Sequence, residues 1–475
     1  MALTAAGLGS GLDIAGMVSQ LMAVERQPLT AMAKKEAGFQ SKLSAFGQIK
    51  SSLSSLQTAA NALKDAAKFA ATKATAGNDA GFTASTAAGA ATGNYSVQVE
   101  ALATKQRVAS DAAVEFVPAD GSVEAKTLDI RFGKLVDGAF VAGEVVDGKF
   151  VPGEGETKTL SFTGKTIEDL RDAINKADLG VSASLVDNGT AKQLVITGKE
   201  TGATQAFSIG GTIGLSFDPA APTASPTTSS VQASRDAKLT VDGIAITRAI
   251  NTVANAIDGV TLTLTKETTA AATLAVADDK TGARSAIDAF VKAYNDTHGL
   301  LKNLTNYNAA TKTAATLTGD STARSAQNKL RDLVGSALGG LGDTKQLAET
   351  GITFQTDGKL ATDGAKLDAA LKDPARGVAA FFAGAAGVKG LGETVSEGLK
   401  AFIDSDGLLA GRTDGINASI KLIDKQRIAF ESRLEGIEKR YRAQFTALDS
   451  MIASMTQTSS YLSQQLANLP NYSTR

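Results

Sequence analysis

Cysteine and tryptophan are absent from this 475-residue chain, and histidine occurs once, as His298. Without cysteine there is no disulfide framework, no thiolate-bound zinc or iron–sulfur cluster, and no thiol nucleophile. A histidine-based zinc site needs several imidazoles, and any Ser-His-Asp arrangement would have to use His298 as its base. Proline is scarce, at 8 residues against 47 glycines, so turns are many and stiff breaks few. Aromatic residues make up only 5% of the chain, which leaves cores to be built from Ala, Leu, Ile and Val, but a hydrophobic content of 43% is enough for a packed protein. Excess charge is missing as well: 48 basic side chains balance 49 acidic ones, for a net charge of −1. Nothing in that balance asks for nucleic acid or an anionic membrane, and a near-zero charge is compatible with self-association. No stretch reaches the ~18–20 unbroken apolar residues of a membrane span. Residues 1–24 carry one charge, Asp13, and are interrupted by Gly7, Gly9, Gly11 and Gly16, unlike a cleavable secretory signal. If exported, the protein is expected to leave by a route that removes no signal peptide.

Both ends of the chain carry helical periodicity. From Phe46, apolar residues fall at Ile49, Leu53, Leu56, Ala60, Leu63 and Ala67, in steps of three and four. Near the C-terminus Ile416, Ile420, Ile423, Phe430, Leu434, Ile437 and Tyr441 keep the same rhythm, with Arg427 in one apolar seat. Phe445 follows Tyr441 by four, a stutter. The pattern then resumes through Leu448, Ile452, Met455, Ser459, Leu462, Leu466 and Leu469. Residues 451–469 carry no charge, so this helix is expected to pack against copies of itself. Two more helical patterns lie at Ile287, Phe290, Val291, Tyr294, Leu301 and Leu304, and over residues 321–338. Residues 347–360 read as a short hairpin around Asp357 and Gly358, followed by a helix ending near Leu371.

The middle of the chain reads as strand. Tyr95, Val97 and Val99 alternate. The run VDGAFVAGE (136–144) recurs as VDGKFVPGE (146–154), a ten-residue repeat in which each unit sets Asp-Gly before a short strand, as in successive hairpins. Further hairpin turns are expected at Asp187-Asn188-Gly189, Asp242-Gly243 and Asp258-Gly259. Residues 219–226, with three prolines, read as a linker or long loop. The resulting expectation is an α+β multidomain chain with terminal helices in a coiled-coil or bundle leg and antiparallel β domains inserted as a head. The expected division is a terminal assembly segment at 1–37, disordered when free; a helical leg at 38–75 and 281–446; an inner β domain at 76–115 and 232–280; an outer β domain at 116–231; and a C-terminal assembly segment at 447–475. The two terminal segments have few evident intrachain partners and are expected to order only in an assembly.

Candidate chemical motifs are incomplete. The run TGKT (163–166) lies between a strand and a helix, but the first glycine of a phosphate loop is replaced by Thr159, so Thr166 reads as a helix N-cap with Asp169 three residues on. Gly143 to Lys149 has phosphate-loop glycine spacing but ends in Phe150, with no hydroxyl for magnesium. His298 lacks an evident nucleophile and orienting carboxylate. The run DSDG (404–407) is a fragment of a calcium loop without its closing Glu. No catalytic, cofactor or metal site is expected.

The termini are distinctive. LGSGLDI (8–14), MVSQLM (17–22) and ERQPL (25–29) resemble the N-terminal motif of the flagellar hook-associated protein 2 family, the filament-capping proteins. QFTALDSM (444–451) and SSYLSQQL (459–466) are similar to the family's C-terminal pattern. DGI (242–244), DGV (258–260), FVKAYN (290–295) and LAETGI (347–352) match family blocks in order, while residues 114–155 depart from it. The resemblance implies a closed homo-oligomer, a pentamer, capping the distal tip of the flagellum outside the cell. There it would retain exported flagellin while that folds and inserts. It further implies type III export, a hook-associated junction protein as neighbour, and an export chaperone on the C-terminal segment. Oligomer contacts are expected at Leu8, Gly9, Ser10, Gly11, Leu12, Asp13, Ile14, Met17, Val18, Leu21, Leu448, Ile452, Met455, Tyr461, Leu462 and Leu466. A leg core is expected from Leu53, Leu56, Leu63, Phe290, Tyr294, Ile423, Phe430 and Leu434. Alternative readings are an adhesin that binds host mucin or glycan through the β domains, and a junction or flagellin-like subunit.

Overall fold

The computed structural model describes residues 13–111, 124–147, 149–153, 155–223, 227–339 and 341–467. Helices α1 (Ile14–Glu25) and α2 (Gln27–Ala62) come first, then the one-turn α3 (Ala66–Phe69). A strand-rich stretch follows: β1 (Thr72–Ala76), β2 (Phe82–Thr86), β3 (Gly93–Ala101), β4 (Arg107–Ser110), β5 (Lys126–Val136), β6 (Ala139–Val146), β7 (Lys149–Pro152) and β8 (Thr157–Phe162). After α4 (Ile167–Lys176) come β9 (Val181–Asp187), β10 (Lys192–Gly198), β11 (Ala206–Gly211), β12 (Thr228–Gln232), β13 (Ala237–Val241), β14 (Ile244–Arg248), β15 (Thr252–Ile257), β16 (Val260–Leu264) and β17 (Ala272–Asp278). The chain then returns to helix with α5 (Thr281–Thr305), α6 (Ser321–Gly335), α7 (Gly364–Lys372), α8 (Val378–Ala383), α9 (Leu391–Ile403) and α10 (Leu408–Ala467). Two small ribbons lie among them, β18 (Tyr307–Asn308) with β19 (Thr313–Ala314) and β20 (Ile352–Phe354) with β21 (Leu360–Thr362). The fold is α+β and multidomain, and its described residues form two compact units, one within 1–66 and 283–475, the other within 67–282.

The second unit holds two separate hydrophobic cores. In the first, the sheet β1-β17-β3-β13-β14 and the sheet β15-β16-β2 enclose Val97, Val99, Leu239, Val253, Leu262 and Leu274. Val97 and Val99 point inward because side chains alternate across a strand. In the other, β12-β4-β10-β9 and β11-β5-β6-β7, with β8 on β5, bury Val108, Leu128, Ile130 and Phe207 beneath Leu170 and Ile174 of α4. Strand β4 falls within the range 76–115 read as the inner domain, yet Val108 belongs to this second core. The segment before β12 is pinned to it by paired Ile209 and Phe217 backbone bonds of 2.9 Å.

The ten-residue repeat forms successive hairpins. Asp137 and Gly138 both take positive φ, 51° and 83°, the type I′ geometry that matches strand twist. Strand β6 pairs through residues 139–142 with β5 and through 143–146 with β7. A Cβ on Gly133 would lie 2.8 Å from the Phe140 ring, and one on Gly143 would lie 2.6 Å from the Phe150 ring. Each unit therefore lays its Phe over the glycine seven residues earlier, covering backbone that glycine leaves bare.

In the first unit, α2 packs on α9 and α10. A Cβ on Gly392 would stand 2.6 Å from Ala60 O, so glycine permits the close approach of α9 to α2. Gln57 donates to Ser396 O at 3.0 Å, and Ser396 donates to Asn61 Oδ1 at 2.8 Å. Ser52 and Thr297 hydroxyls meet at 2.8 Å, tying α2 to α5. Helix α2 begins at Gln27, well before the first periodic residue read at Phe46, and α6 ends at Gly335, short of the expected 338.

Candidate assembly surface

Helix α1 starts from Asp13, whose carboxylate accepts from Gly16 N at 2.8 Å and caps the first turn. A Cβ on residue 16 would stand 2.8 Å from Asp13 Cγ, so glycine leaves room for the carboxylate in this conformation. Pro28, in the first turn of α2, lacks the N–H that a continuous helix would use, and the chain breaks at Arg26. Ile14, Val18 and Met22, spaced by four, bury one face of α1 against Leu434 and Ile437 of α10. Met17, Leu29, Phe430, Tyr441 and Phe445 flank this cluster. Tyr441 Oη donates to Glu25 Oε1 at 3.1 Å, and that carboxylate holds the phenol above its ordinary value.

The expected contact residues therefore divide. Asp13, Ile14, Met17 and Val18 are engaged inside the chain, contrary to the expectation of few intrachain partners there, because α10 runs back alongside them. Leu21 stays exposed at the edge of this stripe, as does Val24 further round α1. Leu8, Gly9, Ser10, Gly11 and Leu12 lie outside the described residues.

The far end of α10 is different. Asp449 is its last buried residue. Beyond the α1 contact, Leu448, Met451, Met455, Tyr461, Leu462 and Leu466 are 43–67% exposed, and Ile452 is half-buried. The helix supplies its own polar satisfaction. Hydroxyls of Ser450, Ser454, Thr456 and Thr458 donate to carbonyls three or four residues back, at 2.8–3.0 Å. Such back-bonded hydroxyls leave an uncharged surface that loses little on desolvation, which suits packing against another protein surface. At 1.5 Å per residue α10 is about 90 Å long.

The residues read as a leg core are buried, with two differences. Leu53, Leu56, Leu63, Phe290, Tyr294 and Ile423 are at most 4% exposed. Leu434 is buried against α1, and Phe430 is only half-buried at the margin of that cluster. Arg427, the charge in an apolar seat, bonds Glu36 of α2 at 2.9 Å and Asp424 at 3.0 Å, so the seat is an inter-helix ion pair. Helix α9 was not resolved from the sequence, although Leu391, Val395, Leu399 and Phe402 carry the helical spacing and are buried.

The chemical candidates have structural roles. Thr166 and Asp169 form a reciprocal capping box on α4. His298 stacks on Tyr294 and donates from Nε2 to Asp357 O at 3.0 Å, at the turn between β20 and β21. Tyr294 Oη donates to Gly358 O at 3.2 Å, and burial raises its pKa to about 12. Asp404 is the C-cap of α9, and its backbone carbonyl accepts from Gly407 N at 2.9 Å. No helix among the described residues is long and apolar enough to cross a membrane.

Family models for the flagellar hook-associated protein 2 N-terminus and C-terminus match residues 10–106 and 234–457, and the flagellin hook IN motif matches 161–200. The chain is 33% identical over 486 residues to flagellar hook-associated protein 2 of Escherichia coli K12, covering 99% of each. It is 34% identical over 494 residues to the protein of that name from Salmonella typhimurium LT2, covering 98% of each. A crystal structure of the D1-D2-D3 domains of the Escherichia coli flagellar cap protein FliD superposes with a TM-score of 0.63 at 31% identity, covering 78% of this chain and 99% of that one. This family is structural rather than enzymatic. By these matches the chain belongs to the flagellar hook-associated protein 2 family.

Proposed function

We propose that this protein caps the distal tip of the bacterial flagellar filament, outside the cell, as a closed oligomer of about five copies. Exported flagellin is held beneath the cap until it folds and inserts. The observation that carries this reading is the uncharged, self-bonded and apolar end of α10, with six large side chains exposed between Leu448 and Leu466. A solvent-exposed stripe of that size calls for a partner, and the relatives' names support a flagellar one. In this reading residues 38–75 and 281–446 serve as the leg, 76–115 and 232–280 without β4 as the inner head, and 116–231 together with β4 as the outer head. Of the two terminal segments, 447–475 is then the part that orders in the assembly, while in 1–37 helix α1 already packs on α10 within one chain. The hook-associated junction protein is the neighbour before filament growth, and a chaperone covers residues 447–475 until export. Electron microscopy of the purified full chain tests the closed form directly. Small particles of fixed subunit number are expected, and open polymers of indefinite length would contradict it.

A further inference from the structure

Where α1 gives way to α2, both helices and α10 enclose a groove of about 390 Å³. Its floor is apolar, made by Met22 and Leu434, both buried, with Leu29 half-buried. Its rim on α10 is acidic: Glu431, Glu435 and Glu438 stand on successive turns. Glu438 is paired with Arg442 at 2.8 Å. Glu431 and Glu435 have no ion-pair partner among the described residues, and Arg26, which also lines the groove, forms none with them. Ten residues earlier on the same helix, Lys421 and Lys425 repeat the i, i+4 spacing with opposite charge. Both are exposed, and among the described residues neither forms an ion pair. Ile428, one turn further along this stripe, is 64% exposed. A ten-residue offset sets the basic stripe about 80° round the helix and about 15 Å along it from the acidic one, too far for the two to meet within one chain.

We propose that the groove receives the Lys421, Lys425 and Ile428 stripe of a second copy of this chain. The two lysines meet Glu431 and Glu435, and Ile428 covers the apolar floor. Every copy carries both halves, so the contact is head-to-tail, and such contacts close into a ring when the rotation between copies permits. The proposal rests on the closed-oligomer reading and names the surfaces that form it. Matching in charge, number and spacing selects a second copy over an unrelated partner, because one chain presents both complementary stripes.

The test is sedimentation velocity on the full chain, at concentrations where the wild type forms closed particles. Three exposed-surface variants are compared, each checked by its melting temperature: Glu431→Lys with Glu435→Lys, Lys421→Glu with Lys425→Glu, and all four together. Like charges facing across the contact should weaken association about tenfold or more in each double variant. The fourfold variant restores the complementarity in reverse and should assemble to within about threefold of the wild type, again in a salt-dependent manner. Double variants that assemble as the wild type does, or a folded fourfold variant that stays monomeric, would overturn the contact while leaving the cap reading intact. A wild type that is monomeric at every concentration would instead overturn both.

Discussion

Asp320 caps α6 through the amides of Thr322 and Ala323, and it accepts from Arg412 of α10 at 2.7 Å with its own side chain only 6% exposed. Burial pushes its carboxyl up, but the Arg412 hydrogen bond and the Ala323 amide outweigh burial, and its pKa lies below the ordinary value. The folded state therefore favours the charged form more than the unfolded chain does. The stability this contributes is present above the unfolded value of about 3.9 and is lost as the pH falls through the lower folded value. Asp320→Asn keeps a good N-cap while removing the charge. It should cost about 1–2 kcal/mol at neutral pH, and the difference from wild type should shrink below about pH 4 in thermal unfolding. A difference unchanged in acid would show that charge is not its source. Asn295 works by hydrogen bonding instead: its amide donates to Leu360 O at 2.9 Å and accepts from Leu360 N at 2.8 Å, standing in for a strand neighbour of the hairpin. Asn295→Ala leaves that pair of backbone groups unmatched and should cost about 1–3 kcal/mol in chemical denaturation; no measurable loss would mean that water replaces the amide. The sequence displayed FVKAYN as a pattern, but no local signal says that Asn295 meets a residue 65 positions on.

Long helices and tight hairpins were the most legible elements. Periodicity over several turns marked α2, α5 and α10, and Asp-Gly pairs marked the turns at 137, 242 and 258 because both features are local. Partners were not legible. Nothing in the α1 stripe says that it is buried on Leu434 rather than on a second copy, and α9 is short enough for its four apolar seats to be overlooked. The repeat shows how local rules build a larger element. Gly153 N donates to Ala142 O at 3.1 Å, so the ends of the second hairpin, a ten-residue unit at 143–152 offset from the sequence repeat, lie beside each other. Deleting that unit as a whole should preserve the inside–outside alternation and leave the melting temperature of the protein within a few degrees of the wild type. Deleting residues 143–147 alone removes an odd number of positions and inverts the faces of everything that follows in the arm. That variant should melt clearly earlier, and equal melting of the two deletions would show that register in the arm does not matter.

Across the whole molecule, the apolar seats of the helices divide into those filled within one chain and those left exposed. Leu56 is fully buried, and truncating a leucine in such a place leaves a cavity worth about 2–5 kcal/mol. Leu462 and Leu466 repeat the spacing at 54% and 67% exposure, where truncation removes little from the isolated chain. The most direct measurement of the central claim is calorimetry on Leu56→Ala and on the Leu462→Ala, Leu466→Ala double variant, paired with a count of monomeric flagellin in the medium of cells carrying each. Leu56→Ala should lower the melting temperature. The double variant should melt as the wild type does and yet release flagellin unassembled. A double variant that melts early, or one that supports full filament growth with no leaked flagellin, would contradict the assignment of the exposed end of α10 to assembly.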